Sequence, residues 1–378
     1  MATIQSLPTR PAEADLGPDD GGDRPVSPKP KVRKPRRTPN FTAEDWISLI
    51  GSVLSSLAFV TIVYEHILDG SGTIGFGLCW YAAFLVVYAA VVSVVHPRPI
   101  VLERLVASTL YLAAALVLFA LGSTVFYIFA QGWRALVHVN FFTHDMSGVS
   151  PTAPLNQGGI LHAIVGTVEE VGIAVAISVP LGIGTAVYLT EVGGRASSLV
   201  RTVVEAMTAL PEILAGLFVY VLLIVEFGFS KSGMAVSVAM TITMIPIIAR
   251  AGEVALRVVP SGLREASTAL GATHWKTVWG VVLPSARAGL ATATILAVAR
   301  GIGETAIPLI VSGASSFLTF NPLNVPMNSL PLFIYTAYTT HEPLAITRAF
   351  GAASVLMVMV LLLFVAIRIL VRQKGVRR

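Results

Sequence analysis

Apolar residues run along this chain in long blocks separated by short polar breaks. A helix that crosses a bilayer needs about 20 mostly apolar residues. Eight blocks reach that length, at roughly 46–68, 75–95, 105–131, 160–190, 200–228, 233–258, 287–312 and 344–371. Pro246 inside the sixth block and Pro308 near the end of the seventh predict local kinks. The pattern predicts an all-α integral membrane protein with about eight transmembrane helices.

Composition agrees. Of 378 residues, 54% are hydrophobic and only 12% are charged, with a mean hydropathy of +0.77. A soluble chain carries about 25% charged residues. The net charge of +5 is topogenic rather than a nucleic-acid patch, because the basic residues sit between or just outside the apolar blocks. With the N-terminus inside, Arg98, Arg104, Arg195, Arg257, Arg264, Lys276, Arg287, Arg372, Lys374, Arg377 and Arg378 fall on inner segments. Only Arg134 and Lys231 fall on outer ones. The positive-inside rule then places both termini in the cytoplasm of a multi-pass plasma or inner-membrane protein. Trp46, Trp80 and Trp133 lie near predicted helix ends, where interface anchors belong.

Residues 1–45 read as a disordered, basic cytoplasmic tail, with Lys29, Lys31, Arg33, Lys34, Arg36 and Arg37 clustered in it. No cleavable signal-peptide pattern opens the chain. The blocks in 46–104 form an accessory helix pair, and 105–378 carries the main transmembrane domain. Two outer loops, about 132–159 and 313–343, are rich in Pro, Asn, Ser and Thr and are natural surfaces for an external partner. Cys79 is the single cysteine, so it forms no intrachain disulfide and no metal site is expected.

One inner segment is not a span. EASTALGATHWKTVWGVVLP begins at Glu265-Ala266, has Gly271 six residues after the glutamate, and ends Val281-Val282-Leu283-Pro284. Ala266, Ala269 and Leu270 recur at helical spacing, Gly271 suits a helix end, and Trp275 and Trp279 are four apart. The stretch resembles the E-A-A-x3-G-x9-I-x-L-P motif of ABC importer permeases, with Ser267 for the second alanine and Val281 for the isoleucine. The resemblance implies a type I (MetI-like) permease core whose loop 260–286 docks on a cytoplasmic ATPase dimer through Glu265, Ala266, Gly271, Leu283 and Pro284. No G-x-x-x-x-G-K-[ST] phosphate loop occurs. The chain is therefore expected to bind no cofactor and to catalyse no reaction, with ATP-Mg used by the separate ATPase. Gly301-Ile302-Gly303 reads as a turn with close helix packing.

Charges inside spans point to a pathway, since each costs about 2.5–3.5 kcal/mol at mid-helix. Arg250 lies in the sixth block, and Arg300 with Glu304 in the seventh. Two guanidiniums from adjacent spans suit a tetrahedral oxyanion, and Glu304 is placed four residues on to hold Arg300. Around them, Pro246, Arg250 and Glu253, then Ala299, Arg300, Gly303, Glu304, Thr305, Ala306 and Leu309, resemble the PstA family of phosphate-specific permease subunits. That resemblance covers about 105–371. It implies Arg250, Arg300 and Glu304 as the substrate pathway, inorganic phosphate as cargo, and three partners: a second homologous permease, an extracytoplasmic phosphate-binding protein and the ATPase. Membrane lipid surrounds it, and no nucleic acid is involved.

The departures are Glu212 after Pro211, Ile307 inserted before Pro308, and Glu169 with Glu170 in the fourth span. These extra carboxylates either pair with arginines or face the outer vestibule. Glu253 with Arg257 reads as a structural pair, Arg348 as a snorkelling end of the last span, and His162 as a packed residue. Sulfate or molybdate is the alternative cargo. An ion-coupled secondary transporter using Glu169, Glu170, Glu212 or Glu304 is the alternative machine.

Overall fold

The structure, a computed structural model, describes residues 43–67 and 72–371. The basic tail to residue 42, and Arg372, Lys374, Arg377 and Arg378, lie outside the described residues.

The described chain is almost wholly helical, in two compact units that divide between Ala113 and Ala114. The first contains α1 (Ala43–Thr61), α2 (Thr73–Val95) and the start of α3 (Arg98–Leu136). Within it, Arg104 pairs with Asp45 at 2.6 Å, and the Tyr81 hydroxyl donates to Thr109 Oγ1 at 2.9 Å. Apolar side chains cover most of the remaining helix surface, which lipid can solvate but water cannot.

The second unit continues α3 and adds α4 (Asn140–Thr143), α5 (Leu161–Val187), α6 (Ser197–Ala209), α7 (Glu212–Val219) and α8 (Gly233–Arg257). After these come α9 (Ser261–Ala269), α10 (His274–Thr277), α11 (Leu283–Ile302), α12 (Ala306–Val311), α13 (Leu330–Thr339) and α14 (Pro343–Val371). Single π-helical turns extend α5 to Val192 and α7 to Glu226, and join α10 to α11 across Val278–Val282. The core is the crossing of α5, α8 and α11, where Ala174, Met244, Ile248, Ala297 and Val298 are buried together with Ile307 of α12. At Gly182, a Cβ would lie 2.6 Å from Ile248 Cβ; the missing side chain lets α5 and α8 approach closely.

Among the described residues, seven helices are long and apolar enough to cross a membrane, and a bent pair brings the number to eight. That pair is the expected span 200–228. It is not one straight helix. Ser197–Ala209 and Glu212–Glu226 meet at 101°, broken where Leu210 turns extended and Pro211 starts the next helix, because the residue before proline avoids the helical region. The expected span 287–312 is also displaced. Its long helix runs His274–Ile302, and the chain breaks at Gly303–Thr305 before α12. α3 is longer than its apolar block, with 39 residues. By contrast, α8 runs unbroken through Pro246.

The two long loops pack on each other. Met146 N–H donates to Ser316 O at 2.9 Å, and Leu318 N–H to Asp145 Oδ2 at 2.8 Å. Burial works against the Asp145 charge, but the Leu318 and Ser147 N–H groups, the Ser147 hydroxyl and nearby His162 together hold its carboxyl below the usual range.

Candidate functional site

The bent pair α6–α7 determines the surroundings of both expected pathway arginines. Arg300, on the last turn of α11, pairs with Glu212 on the first turn of α7. Arg250 of α8 pairs with Glu205 of α6 at 3.1 Å. A single broken segment therefore supplies a counter-carboxylate to each guanidinium. Both arginines keep about half of their side chain accessible, 45% for Arg250 and 59% for Arg300, so neither is locked away from a ligand.

Glu304 does not hold Arg300 as the four-residue spacing suggested. The helix ends at Ile302, so Glu304 has left the helical face. Its carboxylate instead accepts the Ala306 N–H at 2.8 Å, satisfying an otherwise orphaned donor at the start of α12. Its carboxyl group also lies beside that of Glu212, and the two can hydrogen-bond only while one of them holds a proton. Arg300, Glu212 and Glu304 thus form one connected cluster, although the guanidinium is gripped by the more distant carboxylate. Glu212, which broke the family pattern, is the residue that completes it.

Glu253 is buried on α8 with its side chain 4% exposed. Its carboxylate takes Arg257 at 2.7 Å, Arg201 of α6 at 2.8 Å and Arg250 at 3.6 Å. The expected pair of Glu253 with Arg257 is present but is part of this larger group.

Glu169 and Glu170 pair with no arginine among the described residues. Glu170 is fully buried where α5 meets α8, and its carbonyl accepts from Ser237 Oγ at 3.0 Å. His162 is packed, its ring edge-on to Phe333 with centroids 5.6 Å apart. Arg348 does not snorkel. It is 1% exposed, and its guanidinium donates to the carbonyls of Pro151, Ala153, Pro154 and Gln157 at 2.8–3.3 Å. The loop folds over the arginine and offers backbone oxygens, which replaces the water a snorkelling head would seek.

Beyond the C-terminal end of α8 lies the segment expected to dock. Its first arm is α9, closed by Gly271 at φ +81°, a left-handed position that suits glycine. There Gly271 N–H donates to Thr268 O at 2.9 Å and Ala272 N–H to Ser267 O at 3.2 Å. The second arm, α10 with its π turn, enters α11 at Leu283-Pro284, proline being tolerated at the first helical turn. Ser267 Oγ and Thr277 Oγ1, 2.9 Å apart, join the arms, while Val278 and Val282 are buried beneath them. Glu265, Ala266 and Gly271 face outward, as do Leu270, Trp275 and Trp279.

Sequence reasoning did not find the residue that anchors this loop. Arg264 grips both oxygens of Glu191, at 2.7 and 3.2 Å. It also donates to the carbonyls of Val259 and Leu256 at 2.7 and 3.1 Å. Glu191 is on the π turn after α5 and only 5% exposed. The loop is therefore tied to the end of a core helix by a two-toothed ion pair.

Comparison with known proteins agrees with this architecture. Residues 178–375 match the family described as binding-protein-dependent transport system inner membrane component. Phosphate transport system permease protein PstA 1 of Mycobacterium tuberculosis is 40% identical over 269 residues, covering 70% of this chain and 87% of that protein. The PstA proteins of Mycobacterium leprae and Haemophilus influenzae are 39% and 34% identical, covering 62% of this chain and 76% and 80% of their own lengths. Matched over half its length to the family, and spanning most of these relatives, the chain belongs to the binding-protein-dependent transport system inner membrane components.

Proposed function

We propose that this chain is a transmembrane permease subunit of an ATP-driven importer of inorganic phosphate. The observation that carries the reading is the pairing of Arg250 and Arg300, on two neighbouring core helices, with carboxylates from one bent segment. A guanidinium stays charged at any physiological pH and presents a planar fork of donors to an oxyanion. Without an anion, Glu205 and Glu212 hold these forks and keep bare positive charge out of the membrane interior. An arriving phosphate takes over the guanidinium donors, and the carboxylates reclaim them when it leaves. The names of the relatives, phosphate transport system permease proteins, support phosphate as the cargo.

Around this site the chain works by alternating access. Its termini lie in the cytoplasm, and an extracytoplasmic binding protein delivers phosphate to the packed outer loops. Inside, an ATPase dimer uses ATP-Mg and grips 260–286 through Glu265, Ala266, Gly271, Leu283 and Pro284. The Arg264–Glu191 tie passes that movement to α5, which packs on α8. A second, homologous permease subunit completes the pathway. This chain is a transporter subunit, holds no cofactor and makes no covalent bond. Radiolabelled uptake with competing anions tests the cargo: unlabelled phosphate should suppress uptake far more strongly than sulfate or molybdate. Equal suppression by all three would sink the assignment.

A further inference from the structure

Arg201, Arg250 and Arg257 converge on Glu253 around a cavity of about 290 Å³, which Ala251 and Val254 also line. Three guanidiniums face two carboxylates, Glu205 and Glu253, so the group carries an excess positive charge. Its deepest member is the carboxylate, while the arginines keep 34%, 45% and 61% of their side chains accessible. The donors therefore line the opening rather than being used up beneath it.

Position along α8 gives the cavity its place. A Cβ on Gly301 would lie 3.3 Å from Met244 Sδ, so Arg300 stands near the level of Met244. At a helical rise of 1.5 Å per residue, Arg250 is about 9 Å further along α8 and Arg257 about 10 Å beyond that. Arg300, Arg250 and Arg257 thus step from the α11–α7 cluster toward the loop that Arg264 anchors.

We propose that Arg201, Arg250 and Arg257 form a second binding station for a phosphoryl oxyanion, sharing Arg250 with the site above, with Glu253 as the resident counter-ion that the anion competes against. The chemistry is shared by free phosphate and by the phosphate of an acidic lipid, whose tails could lie beside the exposed Val254. If free phosphate is the ligand, the site is a release station. That version rests on the importer reading above.

The test uses the assembled importer carrying Arg300→Gln, which removes the other pathway arginine from the measurement, in nanodiscs without ATP. One arm measures equilibrium binding of radiolabelled orthophosphate in phosphatidylcholine discs. The other counts phosphatidylglycerol retained on the complex by mass spectrometry. Adding Arg201→Gln with Arg257→Gln should weaken one of the two by roughly ten- to a hundredfold, and the arm that responds identifies the source. Glu253→Gln, which removes the competing carboxylate, should tighten the same arm. Where the double variant fails to assemble, Arg257→Gln alone, at the most exposed arginine, should still weaken it. A folded complex that binds both ligands as tightly without these arginines overturns the proposal. Absence of ATP-driven uptake by the wild-type importer would instead count against the importer reading, and these binding measurements do not depend on it.

Discussion

Arg300 reaches from the end of α11 to Glu212, 88 positions earlier at the start of α7, rather than to Glu304 on its own segment. Glu212 therefore competes directly with any anion bound by Arg300. Glu212→Gln should lower the apparent KM for phosphate by roughly tenfold and lower maximal uptake with it, because release becomes slow. Concentration-dependent uptake measures both. An unchanged KM would mean that the carboxylate does not compete.

Glu304 has a different expected phenotype. Its carboxylate caps the Ala306 N–H at the break between α11 and α12. Glu304→Ala should cost about 1–2 kcal/mol of stability, and Glu304→Gln less, since an amide oxygen still accepts. Thermal unfolding of the purified complex distinguishes the two.

The Arg264–Glu191 pair ties the loop 260–286 to the end of α5. Arg264→Ala should leave the complex assembled and hydrolysing ATP, while phosphate uptake per ATP falls by about tenfold or more. Glu191→Gln should act in the same direction, and the double variant should be little worse than either alone, as expected for partners in one contact. Full additivity would argue that the two residues act separately.

Arg348 is a structural clamp rather than a pathway charge. Arg348→Met keeps the bulk but leaves four carbonyls of the 151–157 loop without their donor. It should destabilise the protein by about 3 kcal/mol and raise hydrogen exchange across that loop, whereas Arg348→Lys should lose only part of this.

Asp145 joins the two long loops through Leu318 and is braced within its own loop by Ser147. Its carboxyl titrates below the usual range, so its contribution is fully present above the ordinary value of about 3.9. It is lost as pH falls through the depressed folded value. Exchange at Leu318, taken relative to the intrinsic rate at each pH, should stay slow at neutral pH and rise at acid pH. In Asp145→Ala it should already be fast at neutral pH.

The apolar blocks were enough to place most of the long helices, since burial in lipid imposes a length and a composition. The conformation of the loop 260–286 was legible too, because Gly271 and Leu283-Pro284 mark backbone positions with few chemical solutions. The break at Pro211 was harder to read, since hydropathy averages across 200–228 as if it were one helix. The partner of Arg300 was misread for a related reason. Spacing by four puts Glu304 on the same face only while the helix continues, and Gly301-Ile302-Gly303 ends it. The Arg264–Glu191 tie spans 73 positions, which no local spacing encodes. Arg348 is satisfied by backbone carbonyls, and those leave no trace in side-chain identity.

The most direct test is ATP-driven uptake of radiolabelled phosphate into proteoliposomes containing this chain with the ATPase, second permease and binding protein proposed for it. Wild-type complexes should accumulate phosphate only with ATP. Arg300→Gln and Arg250→Gln should each lose at least about a hundredfold of this uptake, with assembly of the complex intact. Complexes bearing both substitutions that still import phosphate at the wild-type rate would contradict it.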